Sequence, residues 1–281
     1  MRVDGVTAIV TGGSSGIGLA TAELLAARGA NVAVVARNQE RLEAARERVL
    51  AARRDGSQRV MAISCDVSRY DDVTAMVASV EAEFGPVDLL MACAGYCTPL
   101  RFTELPIEEF QSHLDANLLG ITYVARAVAP SMMERGRGHI AMVSSMGGFI
   151  GVYGYSAYSP AKFGVMGLAE VLRSELKPHG IDVTVLCPPN VDTPGYAREV
   201  SMEPAETAAI NGNAKTVSPA SMAEVFVSAV EKRKYLVVPG LVNGLLYRLK
   251  GVWPELFFAL FDADRAGRRG AAGANLSVSL L

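Results

Sequence analysis

The apolar positions of this chain fall into short unbroken runs that alternate with longer stretches of helical spacing. Residues 6–10 (VTAIV) form the first run, and after it Leu19, Ala22, Leu25 and Ala26 recur at the period of a helix that stops at Arg28-Gly29. A second run at 31–36 leads to a charged amphipathic helix at 38–53 and a third run at 59–65. The rhythm then repeats: helix 71–84 closed by Gly85-Pro86, strand 87–93, a long helix near 108–134, and strand 139–144. Helix 156–177, strand 181–187, helix 218–231 and a last strand at 235–238 complete it. Seven strands with intervening helices predict an α/β fold, a doubly wound seven-stranded parallel sheet with right-handed crossovers. Ligands of such sheets lie beyond the carboxyl ends of the strands. Gly12, Arg37, Asp66, Gly95, Ser145 and Pro188 all fall just past a strand end, which groups them as one candidate site.

The first strand runs straight into TGGSSGIG at 11–18, and a helix follows. Glycines at 12, 16 and 18 let the backbone turn tightly and approach a pyrophosphate seated on the helix N-terminus. Gly12, Ser14, Ser15, Gly16, Ile17 and Gly18 are therefore candidate cofactor contacts of a Rossmann-type dinucleotide site. The second strand ends at Ala36-Arg37, where an NAD enzyme would carry a carboxylate for the ribose 2′-hydroxyl. A guanidinium there suits a 2′-phosphate, which it can bind bidentately. Arg37, with Ser14, points to NADP(H).

Tyr158 and Lys162 stand one helical turn apart, on one face if the segment is helical. An ammonium beside a phenol favours phenolate, so Lys162 is expected to pull the Tyr158 pKa below its usual ~10. A phenol so tuned exchanges a proton with a carbonyl or alcohol oxygen.

Composition narrows the function classes. A net charge of −2 offers no global attraction for nucleic acid. Cys65, Cys93, Cys97 and Cys187 are scattered, without a CxxC pair or histidine cluster, so neither a metal site nor a disulfide framework is expected. The start shows no basic-plus-apolar leader, and no apolar run approaches the ~18 residues of a membrane span. The expected location is cytoplasmic.

Taken in order, TGxxxGxG at 11–18, Asp66, Ala94-Gly95, Asn117, Ser145 and Tyr158-xxx-Lys162 resemble the motifs of the short-chain dehydrogenase/reductase family over residues 5–240. The resemblance implies that Tyr158 is the acid/base and that Lys162 lowers its pKa while binding the nicotinamide ribose. It also implies that Ser145 polarises the substrate carbonyl and that Asn117 holds a water linking Lys162 to solvent. Asp66 and Val67 would contact adenine, Thr193 the carboxamide or phosphate side, and Ala94, Gly95, Pro188 and Val191 would line the cofactor. The family commonly dimerises through the helices beginning near Glu108 and Ser156, so a homo-oligomer is implied. Two departures stand out: Ala92-Cys93-Ala94-Gly95 lacks a side-chain amide usual after strand four, and Pro188-Pro189 replaces Pro-Gly after strand six. Within the family, TGGSSGIG, VARN, YSPAKFG, GLAEVLRSELKP and above all PPNVDTPGY at 188–196 resemble 3-ketodihydrosphingosine reductases. That implies NADPH-dependent reduction of a long-chain ketone. A 3-oxoacyl or hydroxysteroid enzyme, or a non-catalytic NADP(H)-binding protein, remains an alternative.

Residues 1–240 are expected to form the NADP(H)-binding catalytic domain, and 241–281 an amphipathic extension. Leu241, Leu245, Leu246, Leu249, Val252 and Trp253 make one apolar stripe, and Leu256, Phe257, Leu260 and Phe261 a second, flanked by Arg248, Lys250, Arg265, Arg268 and Arg269. Such stripes either pack on the core or a second subunit, or bring 241–261 onto a membrane surface or a lipid chain. Poor order is expected over 265–281.

Overall fold

Seven parallel strands build the centre of the molecule: β1 (Thr7–Thr11), β2 (Asn31–Ala36), β3 (Val60–Ser64), β4 (Leu89–Ala92), β5 (Gly138–Val143), β6 (Ile181–Leu186) and β7 (Leu236–Val237). The structure is a computed structural model that describes residues 1–212 and 215–270, with side chains to residue 262. The strand order is β3-β2-β1-β4-β5-β6-β7. The chain thus winds outward from β1 to one edge, then returns to the other side of β1 and winds to the far edge. The doubly wound parallel sheet is as expected, and the switch in winding falls between β1 and β4.

Side chains alternate across the sheet, so each strand feeds two cores. Ile9, Ala33, Val35, Leu90 and Ile140 face one core with α3 (Tyr70–Phe84), α5 (Gly120–Glu134) and α6 (Tyr158–Leu176). Ala8, Val10, Val32, Val34 and Met91 face the other, covered by α1 (Gly16–Ala27), α2 (Gln39–Ala51) and α9 (Pro219–Glu231). Burial on both faces explains why the strands read as unbroken apolar runs.

The single helix expected near 108–134 is interrupted. α4 (Ile107–Leu114) passes through a π turn at Asp115–Leu119 before α5 continues it. A π turn inside a helix commonly marks a functional position, and Asn117 occupies this one. Pro160 lies in the first turn of α6, where its missing N–H costs no helical bond.

Residues 188–215 hold two short helices that hydrophobic spacing does not reveal, α7 (Pro194–Val200) and α8 (Ala205–Asn211). Beyond β7 come α10 (Leu241–Val252) and α11 (Pro254–Gly270), parted at Trp253. The two stripes of this region do not stay whole. Leu246, Tyr247, Leu249, Phe257 and Phe261 pack onto Phe149, Ile150 and Cys187, with Phe257 2% exposed. Full burial of one phenylalanine is worth about 1.5–3 kcal/mol, enough to anchor the helix pair to the body. Leu241, Leu245, Val252, Trp253, Phe258 and Leu260 remain exposed. The expected disorder of 271–281 lies outside the described residues, as do the side chains of Arg265, Arg268 and Arg269, while the backbone of 265–270 continues α11.

Candidate active site

The loops leaving β1 and β4 touch where the winding reverses. Gly12 has φ +67°, and a Cβ there would lie 2.8 Å from the Ala94 backbone. A Cβ on Gly18 would lie 2.3 Å from the Gly12 carbonyl oxygen, so the turn closes only with glycine at both positions. Ser15 precedes α1 without capping it through its side chain, and the first turn carries no acidic residue. The N–H groups of that turn are left for an anion, a donor set that suits a diphosphate.

One cleft of ≈ 830 Å³ runs along the carboxyl ends of the strands, large enough for a ligand of cofactor size. Gly12, Ser14, Ser15, Gly16, Ile17, Gly18, Arg37, Asp66, Val67, Ala94, Gly95, Pro188, Val191 and Thr193 all line it, together with Asn117, Ser145, Tyr158 and Lys162. Arg41, which the sequence does not single out, adds a second cation beside Arg37. Asn38 caps α2 by accepting from the Arg41 backbone N–H at 2.8 Å, which sets Arg41 in the first turn. The Asp66 carboxyl is raised by burial, but hydrogen bonds from the Ser68 N–H (3.1 Å) and hydroxyl (2.8 Å), with Arg37 and Arg69 nearby, outweigh this and hold it below its ordinary value.

At the other end of the cleft, Ser145 precedes a short 3₁₀ turn, and its hydroxyl accepts from the Gly147 N–H at 3.0 Å. Tyr158 opens α6, and Lys162 follows one turn later. The Lys162 Nζ lies 5.6 Å from the centre of the Tyr158 ring and donates to the Val143 carbonyl at 3.1 Å. Burial pushes the Lys162 ammonium down to about 8. The phenol does not behave as the spacing suggests. Burial raises the Tyr158 pKa well above its ordinary value, Cys97 and Glu199 add to the rise, and a hydrogen bond with Ser145 opposes it without cancelling it. Enclosure denies the phenolate water, while the Lys162 ammonium sits beside the ring and is bound to a carbonyl. Among the chain's own groups, Tyr158 is therefore held as a protonated donor.

Asn117 is fully buried. Its amide donates to the Tyr96 (2.9 Å) and His113 (3.1 Å) carbonyls and accepts from the Tyr96 N–H (3.1 Å). Gly95 fits between it and Lys162, since a Cβ there would stand 2.4 Å from Asn117 Oδ1 and 3.2 Å from Lys162 Nζ.

The two sequence departures have local substitutes. Where an amide is missing at Cys93, the Ala94 N–H donates to the Thr11 hydroxyl at 3.4 Å and the Cys93 N–H to the Thr11 carbonyl at 3.2 Å, tying β4 to β1. Burial pushes the Cys93 thiol up to about 12, which leaves it unreactive. The Pro188-Pro189 loop is fixed by the Met146 N–H donating to the Pro188 carbonyl (3.1 Å) and by Val191 pairing with Val217. Thr193 caps α7 by accepting from the Tyr196 N–H at 3.0 Å, and its methyl stands where a Gly16 side chain would begin.

α7 supplies groups that the sequence reading missed. Tyr196, Arg198 and Glu199 of α7 line the cleft, as does Tyr155. The Tyr155 hydroxyl donates to Glu199 Oε1, and its ring meets that of Tyr158 edge-on at 5.6 Å between centres. The pair Thr193-Pro194, an N-cap followed by proline at the first helical position, is the one local signal that announces α7.

Comparison with known proteins agrees with this geometry. A family model described as short chain dehydrogenase matches residues 6–204. A 3-dehydrosphinganine reductase of Danio rerio is 40% identical over 228 residues, covering 81% of this chain and 69% of that protein. A 3-ketodihydrosphingosine reductase of Dictyostelium discoideum is 35% identical over 275 residues, covering 93% of this chain and 82% of that one. Among solved structures, levodione reductase superposes with a TM-score of 0.76 at 26% identity, over 83% of this chain and 95% of its own. A variant of actinorhodin polyketide ketoreductase, solved with NADPH, gives 0.73 at 32% identity, over 82% and 91%. The chain belongs to the short chain dehydrogenase family, oxidoreductases that use a nicotinamide cofactor to interconvert carbonyl and alcohol groups.

Proposed function

We propose that the chain reduces a long-chain ketone to a secondary alcohol with NADPH, the 3-keto group of 3-ketodihydrosphingosine being the favoured substrate. The observation that carries this reading is the layout of one cleft, with Tyr158, Ser145 and Lys162 at one end and Arg37 and Arg41 at the other. NADP(H), when bound, supplies the hydride. Gly12 to Gly18 would hold its diphosphate, Arg37, Arg41 and Ser14 its 2′-phosphate, Asp66 and Val67 its adenine, and Ala94, Gly95, Pro188, Val191 and Thr193 the nicotinamide half. Ser145 donates a hydrogen bond to the ketone oxygen, stabilising charge that grows only in the transition state. Tyr158 gives that oxygen its proton. The Lys162 ammonium stabilises the phenolate left behind, and Asn117 keeps Gly95 and Tyr96 seated against it.

The reading is tested by assaying the purified protein with NADPH against 3-ketodihydrosphingosine, a 3-oxoacyl thioester and a steroid ketone. Turnover of either of the last two at ten times the rate of the first would overturn the substrate assignment. Cofactor choice is tested separately. Arg37→Asp removes a charge-assisted contact worth roughly 1.5–3 kcal/mol and adds repulsion, so the ratio of kcat/KM for NADPH over NADH should fall by about 10²-fold. An unchanged ratio would exclude Arg37 from phosphate binding.

Peripheral membrane contact is supported by the outer face of α10 and α11, where Leu241 is 95% and Val252 85% exposed. No helix among the described residues is long and apolar enough to cross a membrane. Serine at Leu245, Trp253 and Leu260 together should reduce co-sedimentation with anionic liposomes several-fold while leaving the anchored face intact. Equal sedimentation of variant and parent would remove the membrane reading.

A further inference from the structure

The loop that leaves β4 is held to the helix beside it by two side chains, and Asn117 is one of them. The other is His113, fully buried in the last turn of α4, four positions before Asn117. The Thr98 backbone N–H donates to His113 Nε2 at 3.0 Å. An N–H can be received only by a ring nitrogen that carries no proton, so Nε2 is bare and the ring's single proton sits on Nδ1. The surroundings of Nδ1 agree. The Glu109 carbonyl lies 2.9 Å from it and Glu109 Oε1 3.5 Å from it, both of them acceptors. The imidazole also packs against the Tyr96 ring, with 4.5 Å between centres, and the His113 carbonyl accepts from the Asn117 amide at 3.1 Å.

These contacts divide the loop between two holders. Asn117 grips the backbone N–H and carbonyl of Tyr96, next to Gly95 and Lys162. His113 grips Thr98. Two residues further on, the Leu100 N–H donates to the Gly154 carbonyl at 2.9 Å and Leu100 pairs with Tyr155, whose ring meets that of Tyr158. The stretch from Gly95 to Leu100 thus runs from the side of Lys162 to the neighbour of Tyr158, and Tyr96 and Cys97 within it line the cleft. We infer that His113 is a positioning residue for the reaction: protonated on Nδ1, it fixes the ketone-side half of this loop, while Asn117 fixes the cofactor-side half. The kinetic part of this inference rests on the proposed ketone reduction. His113 lies behind the cleft wall and acts through Thr98 and Tyr96. A wall misplaced by ~1 Å is enough to cost ~10²-fold in rate. An apolar side chain of similar size fills the space but leaves the Thr98 N–H without this acceptor.

The test uses three variants. His113→Gln keeps an acceptor where Nε2 stands, His113→Asn keeps only a donor where Nδ1 stands, and His113→Leu keeps neither. Each is assayed with NADPH and whichever of the three ketones the parent reduces fastest. The kcat/KM for the ketone should fall about ten-fold or more in His113→Asn and His113→Leu, and stay within about three-fold of the parent in His113→Gln. Affinity for NADPH should stay within about three-fold in every variant, because the Asn117 clamp is untouched. A role in packing alone would favour leucine over either amide. A His113→Leu protein as active as the parent, or a His113→Gln protein as impaired as His113→Leu, therefore overturns the inference. Two further measurements need no turnover. Nitrogen NMR of the imidazoles should show His113 protonated on Nδ1, and amide exchange at Thr98 should quicken about ten-fold or more in His113→Leu but not in His113→Gln. A proton on Nε2, or equal exchange at Thr98 in the parent and His113→Leu, also overturns it. If the parent reduces no ketone, the ketone-reduction reading fails, and these two measurements still decide whether His113 holds the loop.

Discussion

Tyr158→Phe should lower kcat for ketone reduction by about 10³-fold, within the ~10²–10⁴ range for loss of a positioned general acid. Affinity for NADPH, read by fluorescence titration, should stay within about three-fold, because the ring that touches Tyr155 is retained. The direction of the phenol's shift makes this expectation firm. Burial holds Tyr158 protonated, so in the reductive direction the proton is already where the growing alkoxide needs it. Phenylalanine keeps the packing and removes only the proton. A variant that retains a tenth of the parent kcat would show that the proton comes from elsewhere.

Lys162→Met should be nearly as damaging, by about 10²–10³-fold in kcat/KM, the range seen when one preorganised charge-stabilising group is removed. Methionine fills the same length of buried space, so circular dichroism should report an unchanged fold. The pH profile separates an electrostatic role from a packing role. Burial pushes the ammonium down to about 8, so the charge is present below that pH and is lost as pH rises through it. The parent kcat/KM should fall above pH ~8. The Lys162→Met profile should lack that limb, and a profile that keeps it would assign the ionisation to another group.

The strands were legible because each is a short apolar run bounded by glycine, proline or charged residues, and the sheet buries both their faces. The candidate catalytic groups were legible for a different reason: Asn117, Ser145 and Tyr158-xxx-Lys162 match in order and spacing the motifs of the family that the chain resembles. What could not be read depends on tertiary enclosure. Spacing places Lys162 beside Tyr158 but says nothing of how deeply the phenol is shut in, and enclosure reversed the expected shift. α7 has no buried residue and α8 only Thr207, so neither carries the apolar period that betrays a longer helix. Arg41 is hidden among the charges of QERLEAARER, where nothing in the spacing sets one cation apart from the next. Glu199 gives no local sign of its place in the cleft, because the partner that holds it there is Tyr155, forty-four positions earlier in the chain.

The turn that bears Ser145 has two sides. Its inner side borders the cleft, and Met146, Phe149 and Ile150 on its outer side are roofed by Leu246, Tyr247, Leu249 and Phe257. Lys250 even donates to the Phe149 carbonyl, and Tyr247 meets the Phe149 ring edge-on at 5.1 Å. Cutting the chain at residue 240 would therefore strip the backing from the turn that bears Ser145 as well as removing an outward-facing surface. A truncated protein that loses activity would report a collapsed support, and only changes confined to the outer face can speak for a membrane.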